Sequence, residues 1–268
     1  MKPLRVLDPN VSGQVTRGLC ALAVMTKAPQ AGRVKTRLVP PLTPEEAAEL
    51  NKFFLRDTAG AIASACSGGL LRPNDANARL HPDAQRAPQK CGPVAVYTPV
   101  GAESAYTDIL PADFSLLPQR GDKFGERLYF AVEDLFKCGF ESVCLIDSDS
   151  PTVPATNFQQ AAELLASPGD RIVLGPSDDG GYYLIGLKKP HRHVFEQIDW
   201  STERVLNQTI QHATEIGLEV KLLSTGYDVD DDASLRRLRD ELLGKNAGDG
   251  VAPNTRKFLV SIAAQNKL

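Results

Sequence analysis

The residues best suited to chemistry fall in four short stretches. KAPQAGRVKTRL, from Lys27 to Leu38, carries Lys27, Arg33, Lys35 and Arg37 within eleven residues. Cations this dense suit phosphates, and Gly32 lets the backbone approach closely enough for amides to help neutralise a triphosphate or a diphosphate leaving group. The Gly-x-x-x-x-Gly-Lys spacing of a Walker A loop is missing, and an ordinary solvated basic loop has the same composition. LIDSDSPTVP places Asp147 and Asp149 just past an apolar run. Side chains two apart in extended chain point to the same side, so both carboxylates could reach one divalent cation, magnesium suiting such oxygen donors; the alternative is an Asx-turn before Pro151.

GPSDDGGYYLIGL breaks two apolar runs with Asp178, Asp179, Gly180 and Gly181. Asp-Gly predicts a tight turn, and the two acids, glycines and tyrosines together would also admit a sugar or a base against the backbone. In YDVDDDASLRRL, Asp232 or Ser234 is the expected helix cap, which leaves Asp228 and Asp230 free to complete a metal site with Asp149. QRGDKFGERL offers Gln119, Glu126 and Arg127, where a loop and a helix start are the favoured reading. For Trp200, Ser201 and Thr202 a helix start is likewise favoured over a pocket wall.

The elements around these stretches predict how they are held. Leu19–Met25 reads as a buried strand entering the basic loop. Thr43 as cap, Pro44 at the first helical position and Glu45 and Glu46 in the first turn open a helix running towards Ile62. Strands follow at Val94–Thr98, Ser142–Ile146, Arg171–Leu174, Tyr182–Leu187 and Glu219–Leu223. Helices are expected at Gly125–Cys138, Asn157–Leu165, about Thr202–Ile216 and from near Asp232. This alternation predicts an α/β domain with a mostly parallel sheet covered on both faces. Residues 1–18 read as a loose N-terminal tail, 19–244 as one domain with a polar surface insertion at about 67–93, and 245–268 as a C-terminal extension whose apolar segment Phe258–Ala264 is a docking helix or a mobile tail.

Composition bounds the functions. The 268 residues, 42% of them hydrophobic, suffice for one real core. A net charge of -3 gives no broad attraction to nucleic acid or to an anionic membrane, so phosphate binding must be local. Five scattered cysteines without a C-x-x-C pair read as reduced thiols of a cytoplasmic protein, and no run is long and apolar enough to span a bilayer. The sequence gives no oligomeric state.

Taken in order, KAPQAGRVKTRL, the Gln119–Arg127 segment, SDSPTVP, GPSDDGGYYLIGL, the DWST at 199–202 and DVDD resemble the glycosyltransferase-A-like family of radical-SAM/selenodomain-associated transferases, over about Leu22 to Leu242. That family is similar to 2-phospho-L-lactate guanylyltransferase and to the molybdenum-cofactor guanylyltransferases. The resemblance implies a nucleotide-diphospho-sugar transferase fold, a Rossmann-like three-layer α/β/α sandwich with a mostly parallel mixed sheet. It further implies that Lys27, Gly32, Lys35, Thr36 and Arg37 hold the nucleotide, together with Asp179, Gly180 and Gly181; that Lys35, Arg37 and Asp149 act in catalysis; and that Asp149 and Asp230 bind Mg²⁺ or Mn²⁺. The chain departs from the family at Asp147, where a small residue such as Gly is more usual, and in the extended polar stretch before Val94. The expected activity is nucleotidyl transfer from a nucleoside triphosphate to a small phosphorylated or acidic acceptor. Glycosyl transfer from a nucleotide sugar is the alternative, and a non-catalytic nucleotide-binding module the second.

Overall fold

The structure, a computed structural model, describes residues 3–11, 13–67, 91–245, 248 and 250–264. Among these residues eight strands form one sheet in the order β1-β4-β3-β2-β5-β7-β6-β8. In chain order they are β1 (Arg5–Val6), β2 (Cys20–Lys27), β3 (Cys91–Thr98), β4 (Ser115–Pro118), β5 (Ser142–Ile146), β6 (Arg171–Pro176), β7 (Tyr182–Leu187) and β8 (Glu219–Leu222). Only β7 runs against both of its neighbours; every other pairing is parallel. The expected sandwich with a mostly parallel mixed sheet is therefore the observed fold.

Among the described residues six α-helices accompany it: α1 (Pro44–Cys66), α2 (Phe124–Cys138), α3 (Ala155–Ala166), α4 (Val205–Glu215), α5 (Asp232–Leu243) and α6 (Pro253–Ala263). The continuous apolar run of β2 explains the layering, because a strand buried on both faces needs a helix layer on each. Cys20, Leu22 and Val24 pack with Leu55 and Ile62 of α1 and Phe158 and Leu165 of α3. Ala21 and Ala23 pack on the other side with Leu128 and Leu135 of α2 and Ala213 of α4. A third cluster, with Leu38, Phe54, Val229, Leu235, Leu242 and Leu259, binds the end of the basic loop to α1, α5 and α6.

The capping chemistry at α1 is as expected: Thr43 Oγ1 accepts from the Glu46 amide at 3.2 Å, and the Glu46 carboxylate accepts from the Thr43 amide at 2.8 Å. The apolar segment near the C-terminus is a docking helix, α6. Asp57 of α1 caps it, accepting from the Asn254 amide at 3.1 Å and the Thr255 amide at 2.8 Å.

Three differences from expectation have physical causes. Within the expected tail, Arg5–Val6 pairs with β4 and Leu7 is buried, and β4 itself carries too few residues to show a period. Strand β3 starts at Cys91, through Pro93; its pairing with β4 begins only at Val94, so the missing amide of Pro93 costs no ladder bond there. The expected insertion lies, at 68–90, outside the described residues. Helix α4 begins at Val205 rather than Thr202, because Thr202 closes a turn of its own first: its Oγ1 accepts from the Arg204 amide at 3.3 Å and its carbonyl from the Val205 amide at 3.3 Å. Among the described residues no helix is long and apolar enough to cross a membrane.

Candidate functional site

Strands β2 and β5 are neighbours and parallel, and the chain leaves β2 towards β3 on its other side, so their carboxyl ends meet where strand order reverses. Open α/β sheets form ligand crevices at such points. From β2 the basic loop runs to Lys35, whose left-handed backbone (φ 48°, ψ 37°) opens the single turn Thr36–Leu38. This uncommon conformation for a long side chain sends the lysine inward. Its ammonium donates to the Val229 carbonyl at 2.7 Å and lies 2.8 Å from Asp149 Oδ1 and 2.9 Å from Asp230 Oδ1. The side chain is 4% exposed and its charge sits 5.3 Å from the Phe54 ring centroid. Burial works against the charge, yet Asp149 and Asp230 outweigh it and hold the Lys35 pKa above its ordinary value. Arg37 pairs with the second oxygen of Asp230, and the Val229 amide donates to the Asp149 carbonyl at 3.0 Å. Lys35 thus ties together three loops from distant parts of the chain.

Beside this junction opens a cavity of about 800 Å³. Its lining includes the carboxylates of Asp147, Asp149, Asp178, Asp179, Asp228 and Asp230, and with them Met25, Phe124, Tyr182 and Trp200. Burial, then the neighbouring Asp149 and, more weakly, Asp228, push the Asp147 carboxyl well above its usual range, even though Ser150 donates to it at 2.7 Å. Burial, then Asp179 and Asp230, raise Asp228 to about 6. Asp230 is held low: burial would raise it, but Lys35 and Arg37 prevail. The acids lining this cavity outnumber its cations, Arg37 and Arg237, so the surface favours a positive ligand. Phe124 and Trp200 stand edge to face with centroids 5.0 Å apart.

The remaining expected residues divide. Lys27 and Thr36 line a smaller cavity of about 270 Å³ with Arg33, Lys35, Asn51 and Ser148. Gly32 adopts φ 71° in open space. Asp179 Oδ1 accepts from the Gly181 amide at 2.9 Å, and both residues line the large cavity. Gly180 turns away from it: a β-carbon there would collide with the Glu203 backbone, and its carbonyl accepts from the Leu206 amide at 2.9 Å. The cap of α5 is Asp231, boxed with Ser234, rather than Asp232 or Ser234, so Asp228 and Asp230 do precede it. Gln119, Glu126 and Arg127 are occupied by backbone groups: Gln119 donates to the Val96 carbonyl at 2.8 Å, Glu126 accepts from the Lys123 amide at 3.2 Å, and Arg127 donates to the Gly121 carbonyl at 3.1 Å. Trp200, Ser201 and Thr202 line the cavity as well as preceding α4.

Residues 83–202 match a family described as "Uncharacterized protein conserved in bacteria (DUF2064)". That span holds Gln119, Asp147, Asp149, Asp179 and Trp200 but neither Lys35 nor Asp230. Across 93% of this chain and 96% of the other, the structure is similar, at 27% identity and a TM-score of 0.74, to a Desulfovibrio desulfuricans G20 protein described as a "putative nucleotide-diphospho-sugar transferase". A Methanothermobacter nucleotidyl transferase shares the fold at 15% identity and a TM-score of 0.51, with 85% of this chain and 99% of that one covered. Comparison with curated proteins finds no match.

Among the described residues no three or more His, Cys, Asp or Glu side chains are grouped to hold a metal ion. Asp149 and Asp230 nonetheless converge on one positive charge, the Lys35 ammonium, with an oxygen from each within 2.9 Å. Two carboxylates plus a substrate's phosphates are the donor set by which Mg²⁺ is commonly held, so these residues fit such an ion. Sequence reasoning left Phe124, Arg237 and Asn51 unassigned. Arg237, paired with Asp178 and stacked 3.7 Å over Tyr227, lies within the acidic motif and was open to notice; Asn51, in mid-helix, gave no signal.

Proposed function

We propose that this chain is a metal-dependent nucleotidyltransferase that transfers a nucleotidyl group from a nucleoside triphosphate to a small phosphorylated or acidic acceptor. The observation that carries this reading is the junction at Lys35, where a cation-rich loop and two converging carboxylates meet at the carboxyl edge of the sheet. The motif-level resemblance to the radical-SAM/selenodomain-associated transferases and the guanylyltransferases supports it. An acceptor phosphate or carboxylate oxygen forms a bond to the α-phosphorus while the bond to the bridging oxygen breaks. Diphosphate leaves with that electron pair; no proton moves and no protein nucleophile is needed.

Lys27, Arg33 and Arg37 neutralise the phosphates, and Asp149 and Asp230 would hold Mg²⁺ or Mn²⁺, which supplies charge stabilisation at the transferred and leaving oxygens. Lys35 keeps the two aspartates aligned before substrate arrives. Phe124 and Trp200 add apolar surface to the large cavity. The five cysteines are free and buried, which accords with a reducing compartment such as the cytoplasm.

Glycosyl transfer from a nucleotide sugar is the second reading, favoured by the similarity to the Desulfovibrio protein and by the Phe124–Trp200 pair, aromatic surface that suits a sugar ring in the same cavity as the carboxylates. A thermal-shift panel separates the two, with nucleoside triphosphates and nucleotide sugars each tested with and without Mn²⁺. Binding at 100 times the dissociation constant stabilises by about 2.7 kcal/mol. Metal-dependent protection by one triphosphate supports nucleotidyl transfer and names the base; protection by nucleotide sugars alone favours glycosyl transfer, and protection by neither refutes both.

A further inference from the structure

The Lys35 junction leaves a metal ion little of Asp230 to hold. The ammonium lies 2.9 Å from Asp230 Oδ1, and Arg37 takes the other oxygen of the same carboxylate. Both Asp230 oxygens are therefore committed to cations of the basic loop. On Asp149 the ammonium lies 2.8 Å from Oδ1, which also accepts from the Ser148 hydroxyl at 3.3 Å. A divalent cation drawing one oxygen from each aspartate must stand where the ammonium stands, or share oxygens with it or with Arg37. Like charges that close repel strongly where water screens little, and the Lys35 side chain is 4% exposed.

The lysine also has room to leave. Asp149 and Asp230 line both cavities, whereas Lys35 lines the smaller one, so it meets the aspartates from the basic-loop side. That space, about 270 Å³, can take a withdrawn ammonium on its flexible stem. We propose that Lys35 is an autoinhibitory cation: in the nucleotide-free protein it occupies the seat shared by Asp149 and Asp230 and keeps divalent metal out. Phosphate oxygens accept charge-assisted bonds from an ammonium as carboxylates do, so a bound nucleotide favours the withdrawn lysine and opens the seat. Nucleotide and metal then load together, and metal does not load first. The inference rests on the metal-dependent nucleotidyl reading above and adds to it how the metal is admitted.

The test is a Mn²⁺ titration of the intact protein without nucleotide, followed by electron paramagnetic resonance, on wild type, Lys35→Met, and Lys35→Met combined with Asp149→Asn. Lys35→Met leaves two carboxylates facing each other without a cation, so it should bind Mn²⁺ at least about tenfold more tightly than wild type. Adding Asp149→Asn should abolish that gain. Lys35→Gln, which keeps amide donors but no charge, decides the matter should Lys35→Met not fold, and the same gain is expected of it. Mn²⁺ should also raise the melting temperature of the lysine variants while leaving that of nucleotide-free wild type unmoved. Equal Mn²⁺ affinity in wild type and the lysine variants, or a gain that survives Asp149→Asn, overturns the proposal. The wild-type thermal-shift panel with Mn²⁺ and triphosphates separates the two claims. Protection there without a gain in the lysine variants sinks the autoinhibition alone; a gain in the variants without protection by any triphosphate sinks the nucleotidyl reading and leaves the exclusion of metal standing.

Discussion

Two loops at the carboxyl edge of the sheet look alike in sequence and are used differently. The segment after β2 carries Lys27, Arg33, Lys35 and Arg37; the segment after β4 carries Arg120, Lys123, Glu126 and Arg127. In the second, partners are near in sequence: Glu126 bonds the amide of Lys123, Arg127 the carbonyl of Gly121, and Arg120 reaches Glu133 and Asp134 in the helix that follows. In the first, Lys35 reaches Val229 and Asp230, 194 and 195 residues away. A charge that satisfies itself locally shapes a loop. One held across the fold by other loops' carboxylates marks the place where several strand ends converge on a common cation.

Breaking the long-range contact should have the largest effect. Lys35→Met leaves Asp149 and Asp230 facing each other without their cation, at a cost on the order of 2–3 kcal/mol in urea unfolding; that is below the full range for a broken buried pair, because each carboxylate is 35% exposed. The same variant should lose nucleotide-dependent protection. Breaking a contact outside the Lys35 junction should matter less. Gln119→Ala removes the bonds to the Thr26 and Val96 carbonyls and should cost about 1 kcal/mol, with the nucleotide-induced melting shift unchanged. A loss of nucleotide binding in Gln119→Ala as large as in Lys35→Met would erase the distinction.

The smallest effect is one of pH. Lys137 chiefly, and also Arg120, lower the Glu133 pKa against the opposing effect of its burial. A carboxylate depressed in the folded state contributes stability above its unfolded pKa of about 4.3, and loses it as pH falls through the lower folded value. Wild type should therefore lose an increment of melting temperature on acidification below that pH which Glu133→Gln does not lose, and the nucleotide response should be the same in both proteins.

The sequence made the architecture legible wherever a physical rule acts over a few residues. The α1 cap, the apolar run of β2 and the strand Ser142–Ile146 all obey such rules. It hid β1 and β4, too short for a period, and the late start of α4, which follows a turn closed by the Thr202 side chain. The stretches that build the site were legible as types of residue at strand ends. Their roles within it were less so. Asp149 and Asp230 were expected to share a cation, and they converge on Lys35, itself expected on the phosphates; no pattern within twelve residues reveals a contact spanning the chain. Gly180 was read with its neighbours as a ligand contact, whereas close packing on Glu203 is what its missing side chain permits.

The most direct test of the central claim is a Mn²⁺ titration followed by electron paramagnetic resonance, with a non-hydrolysable nucleoside triphosphate present, on wild type, Asp149→Asn and Gln119→Ala. The account predicts that wild type and Gln119→Ala bind Mn²⁺ alike and that Asp149→Asn, still folded, binds it at least tenfold more weakly. Equal Mn²⁺ binding by wild type and Asp149→Asn would contradict it.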